Sequence, residues 1–133
     1  MAWEVTFRED QGIVQVVVRG AAPREEHLAA RAAAARLCQD RQCPRLLVDL
    51  RELETEGMIT MVGCYDFGSN YSRPDRIPAE IRVAHLLPGD PKASKDVEFM
   101  TALALNQGAT IRNFESPEDA CAWLLAPPPK EEP

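Results

Sequence analysis

The chain is poor in the residues on which enzyme chemistry most often depends, with two histidines and four cysteines in 133 residues. Cys38 and Cys43 lie close together, Cys64 and Cys121 stand apart, and none forms a Cys-x-x-Cys pair, so no zinc set is completed. Reduced, mostly buried thiols of an intracellular protein are therefore expected. No Gly-x-Gly-x-x-Gly follows a strand, and there is no Walker loop, Gly-x-Ser-x-Gly elbow or His-Glu-x-x-His helix. The expected answers are no catalytic residue, no metal and no cofactor. No apolar run approaches the roughly 18 residues that span a bilayer. "MAWEVTFRED" lacks the basic start, apolar stretch and cleavage site of a secretory signal. A cytoplasmic protein without a transmembrane segment is expected.

Positive charge is outnumbered by negative. Lys and Arg number 15 against 21 Asp and Glu, a formal charge of −6. Nucleic-acid binding needs clustered cations, and the arginines between Arg19 and Arg51 are interleaved with acids, so no nucleic-acid partner is expected. Apolar residues make up 45% of the chain and charged residues 27%, ordinary values for one globular domain with its own core. That domain is expected over 1–126, with a disordered proline-rich tail over 127–133.

"WEVTFRE" alternates apolar and polar residues, and "IVQVVVRG" follows after a short glycine-containing link, the signature of an antiparallel hairpin. "REEHLAARAAAARLCQDRQ" predicts a helix opened by Pro23, with Leu28, Ala32, Ala35 and Cys38 as its apolar spacing and His27 at the surface. "RLLVDL" reads as a central strand buried on both faces. "EGMITMVGCYDFG" predicts a second helix, "SNYSRPDRIPAE" a long loop and "IRVAHLL" a strand stopped by "PGDP". A third helix is expected from Ser94 to Gly108, then the strand "ATIRNFE", then a fourth helix with Ser116 as N-cap and Pro117 in its first turn. The order β-β-α-β-α-β-α-β-α predicts an α/β domain with a mixed five-stranded sheet, the first strand antiparallel and the rest mainly parallel, with four helices.

Asp49 ends the central strand, where a carboxylate can face a ligand crevice but more readily caps the N–H groups of the following loop. Glu52, Glu54 and Glu56 lie close to it in sequence, as a hard-cation group or a solvated loop. His85 sits in an apolar strand, and an enzyme reading rests on Asp49 and His85 meeting in one cleft. Met58, Met61, Tyr65 and Phe67, with Tyr71 on the loop beyond, suit an apolar ligand pocket, a protein interface or core.

From about Trp3 to Leu125 the chain resembles the SpoIIAA-like group of the STAS superfamily, whose domains are also described as STAS/SEC14-like. The resemblance is carried by "WEVTFRE…GIVQVVVRG", "LLVDLREL", "IRVAHLLP" and the closing "GATIRNFESPEDACAWLL", with "NQG" and "ACAWLL" matching the group's strand-to-helix ending. It implies a small noncatalytic regulatory or protein-interaction domain of the anti-sigma-factor-antagonist type. It also implies a recognition loop after the central strand, here Asp49, Thr55, Glu56, Gly57 and Thr60. The group's phosphorylated serine has no counterpart between Leu50 and Gly57, where Thr55 is the only hydroxyl. The SEC14-like description implies the alternative, a carrier or sensor of a small apolar or lipid ligand. A homodimer is a further implication.

Overall fold

The computed structural model describes residues 3–20, 24–54, 80–106 and 108–126. The hairpin forms as its alternation predicts: β1 (Trp3–Arg8) pairs antiparallel with β2 (Ile13–Val18). Helix α1 (Arg24–Asp40) leads to β3 (Arg45–Asp49), and β4 (Arg82–Leu86) leads through α2 (Pro91–Asn106) to β5 (Thr110–Phe114). Helix α3 (Pro117–Leu125) closes the described chain. The five strands lie in sequence order, with β2 to β5 mutually parallel. Three helices stand among the described residues. The second of the four expected helices, Glu56 to Gly68, lies outside them, as do the loop to Ala79 and the tail.

Strands added in sequence order by crossovers of one hand place the connecting helices on one face. The core obeys this. Val14, Val16, Leu46, Val48, Val83 and Ile111 face α1 and α2, which contribute Ala30, Ala34, Val97, Met100 and Ala104. The intervening residues Ile13, Leu47, Ala84 and Leu86 face the other way and pack under Ala120 and Leu124 of α3. The period of two thus builds two cores from one sheet.

The helix ends follow local chemistry, with one shift. Ser116 accepts from the Asp119 amide (3.4 Å) and Pro117 stands in the first turn, as expected. Helix α2 starts at Pro91 rather than Ser94. Asp90 accepts the Ala93 N–H (3.2 Å), and Pro91 occupies a first-turn position where a missing N–H costs little. The "PGDP" that ends β4 therefore also begins the helix. Gly108, with φ +92°, supplies the left-handed residue that ends α2, and the Ala109 N–H reaches back to Ala104 O (3.0 Å).

The buried stripe of α1 is rotated from the expected one. Ala30, Ala34, Ala35 and Cys38 are buried together with His27 (5% exposed) and Arg31 (7% exposed), whereas Ala32 is exposed. His27 is a buried residue, not the surface one its position suggested. Cys43 is also buried and Cys121 half-buried; Cys64 lies outside the described residues.

A charged rim at the C-terminal ends of the strands

The carboxyl ends of β2, β3, β4 and β5 are tied together by the loops that leave them. Gly20 donates to Glu52 O (2.9 Å), and Glu54 donates back to Gly20 O (3.0 Å), so the chain leaving β3 lies parallel beside the end of β2. Leu50 N–H reaches Leu86 O (3.1 Å), and Leu87 N–H reaches Phe114 O (2.9 Å). Backbone bonds satisfied in this way hold an irregular segment in one shape.

Asp49 organises the segment. Its carboxylate is buried (6% exposed) and accepts the Arg51 amide at 3.1 Å, which is the expected cap. The same carboxylate takes the Arg51 guanidinium in a two-pronged pair, Nε to Oδ1 at 3.0 Å and Nη2 to Oδ2 at 2.8 Å. Burial alone would raise the Asp49 pKa. The hydrogen bonds from Arg51 and the charges of Arg51 and Arg19 outweigh it and lower the pKa below the ordinary value. The pair raises the Arg51 pKa in turn.

Around this pair the rim carries both signs. Arg19 donates through Nε to Glu52 Oε2 (3.2 Å) and lies 3.5 Å from Glu4 Oε1. A surface recess of about 430 Å³ is lined by Arg19, Gly20, Arg51, Glu52, Leu53, Glu54 and Asp90. Arg51 also borders a second recess of about 390 Å³, with Leu87, Pro88, Gly89, Ser94 and Glu115. Such a rim offers directional, charged recognition on a fixed backbone.

His85 does not join it. In parallel register His85 stands beside Val48, and Asp49 beside Leu86. A one-residue step reverses the face, so Asp49 and His85 point to opposite sides of the sheet and do not meet in the one cleft that the enzyme reading required. His85 is fully buried, with Thr101 Oγ1 at 3.4 Å from its Nδ1. That hydroxyl also lies 2.8 Å from Asn113 Oδ1 and 2.9 Å from Val97 O, and its single proton serves one acceptor at a time. Burial, and then the Arg31 charge, push the His85 pKa down to about 3 against an opposing hydrogen bond to Asn113. The imidazole is a neutral core group.

Glu52 and Glu54 are exposed at the rim, and among the described residues no group of three or more His, Cys, Asp or Glu side chains is placed to hold a metal. Thr55, Glu56, Gly57, Met58, Thr60, Met61, Tyr65, Phe67 and Tyr71 lie outside the described residues. No described helix is long and apolar enough to cross a membrane.

Sequence reasoning passed over two arginines. Arg45 and Arg82 stand side by side in register on β3 and β4. Arg45 Nε donates to Leu124 O (3.2 Å), while Arg82 Nη1 donates to Trp123 O (2.7 Å) and Ala126 O (2.9 Å). The last carbonyls of α3, the negative end of its dipole, receive both cations. The adjacent like charges are accommodated because each guanidinium has its own carbonyls to bind. In comparisons with known proteins, no family model, curated protein or solved structure matches the chain.

Proposed function

We propose that this chain is a noncatalytic regulatory or protein-interaction domain of the STAS type, acting in the cytoplasm through a protein partner that docks on the charged rim. The observation that carries the reading is the Asp49–Arg51 pair. A buried carboxylate is committed to holding an exposed arginine in one place, at the end of the sheet where α/β domains bind their ligands. The order of elements and the mixed sheet agree with the resemblance drawn from the sequence. Arg51, Glu52, Glu54 and Asp90 would meet complementary charges on the partner, giving orientation and a salt-sensitive encounter rate.

A photo-crosslinking residue placed at Glu54, in cells that make the protein, tests this. A discrete polypeptide adduct is expected from Glu54 and none from the same residue at Gln42, at the opposite end of the strands. Equal labelling from both positions, or none from Glu54, would remove the rim from the account.

A further inference from the structure

β1 is an outer strand of the sheet: one of its edges pairs with β2, and among the described residues no strand lies against the other. An unpaired edge presents a row of backbone N–H and C=O groups to any strand that can match it. Its side chains divide by period. Trp3, Val5 and Phe7 are half-buried on the α1 side, and Glu4, Thr6 and Arg8 point to the other face. Beside the strand runs an open groove of about 560 Å³, lined by Val5 and, from α1, by Ala29, Ala32, Ala33 and Leu37 together with the charged Arg36 and Asp40.

We propose that β1 pairs antiparallel with β1 of a second copy about a two-fold axis through Thr6, joining two five-stranded sheets into one continuous sheet. The charges of the strand select both the occupant and the register. Centred on Thr6, the pairing sets Glu4 opposite Arg8 of the second copy, Val5 opposite Phe7, and Thr6 opposite Thr6. By symmetry the unlike-charge pair occurs twice. Centred on Val5, Glu4 would face Thr6; centred on Phe7, Arg8 would face Thr6. Neither matches charge with charge. Directly opposed unlike charges, Thr–Thr pairs and aromatic–β-branched pairs each favour cross-strand association. The charges that discourage a generic strand from docking are thus met by the chain's own copy.

The remaining geometry agrees. Joined through same-facing residues, both copies keep α1 on one side, so Val5 and Phe7 of each copy cover the half-exposed apolar face of the other. The alanines of α1 leave room for the two helices to approach over the seam. The present neighbours of the two charges are held loosely, Glu4 to Arg19 at 3.5 Å between exposed side chains and part-buried Arg8 to Gln15 at 3.5 Å, the limit of a hydrogen bond, so both can be exchanged. The proposal uses an edge separate from the rim and does not depend on the STAS reading.

Sedimentation velocity on the full chain over a concentration series tests it. The unaltered chain is expected to form a dimer. Glu4→Arg and Arg8→Glu should each weaken the dimer by at least about tenfold. An equimolar mixture of the two variants should dimerise again, because each then carries the opposite sign at both facing positions. Far-UV circular dichroism establishes that each variant is folded, and recovery in the mixture could not come from misfolded chains. A parent chain still monomeric at about 100 µM, a concentration high enough to reveal even weak association, would overturn the proposal. So would single variants that dimerise like the parent, or a mixture that stays monomeric.

Discussion

Asp49 and His85 stand at the C-terminal ends of neighbouring parallel strands and point to opposite faces of the sheet. His85 is level with Val48, and Asp49 comes one residue later. The step gives the two groups separate environments. Asp49 is bonded to an exposed arginine at the rim, whereas His85 is sealed between the sheet and the helices with Thr101 and Asn113.

For His85 the consequence is a pH-dependent stability. An unfolded imidazole takes a proton near pH 6.5, but the folded one resists it down to about 3. The unfolded state therefore binds more protons in that interval, and stability falls as the pH falls, by up to about 1.4 kcal/mol per pH unit. His85→Gln is expected to be about 1–3 kcal/mol less stable at pH 7.5, having disturbed the Thr101–Asn113 bonds, and to show a flatter profile below pH 6.5. Urea unfolding from pH 7.5 to 4.5 reads both effects.

Asp49 acts in a lower pH range. Its folded pKa is depressed, so its stabilisation is intact above about pH 4 and is lost as the pH falls through the folded value. Asp49→Asn should cost about 1–2 kcal/mol at pH 7, the lower part of the range for charged hydrogen bonds because Arg51 is half exposed. Its acid limb below pH 4 should be shallower than that of the parent in urea unfolding extended down to about pH 2.5.

Arg82→Met should loosen α3. The substitution retains an apolar stem but removes the bonds to Trp123 O and Ala126 O. A loss of about 1–3 kcal/mol is expected, with hydrogen exchange accelerated first in the amides of 118–125. Uniform acceleration across the sheet would show that the arginine does more than fasten the helix.

Thiol reactivity should follow burial. Cys38 is pushed up to about 12 by burial and then by neighbouring Cys43, and Cys43 donates through Sγ to Gly12 O (3.1 Å). At pH 8 an aromatic disulfide reagent should modify half-buried Cys121 well before either of them. Peptide mapping by mass spectrometry gives the order.

The strands were legible because apolar alternation survives in "WEVTFRE" and in the continuous runs around Leu46 and Val83. Burial follows those patterns on both faces. The buried face of α1 was not legible. With alanine on every side, hydrophobic contrast is slight, and the inward stripe includes His27 and Arg31. Asp90 was read as part of a stop because Pro91 ends a strand as well as it begins a helix. Of the rim, the Asp49 cap could be read from an aspartate before a loop. The return of the chain beside Gly20 could not, since it joins segments with no local signal between them. Arg45 and Arg82 escaped for the same reason: their carbonyl partners lie 79 and 41 residues away.

The most direct measurement is native mass spectrometry of the protein purified gently from its own cells, beside a Glu52→Lys/Glu54→Lys variant. The account predicts a second, different polypeptide bound to the parent chain and lost from the variant, with both chains equally folded. A small-molecule mass retained by both proteins, a partner held equally by both, or a parent chain that carries no other polypeptide would contradict it.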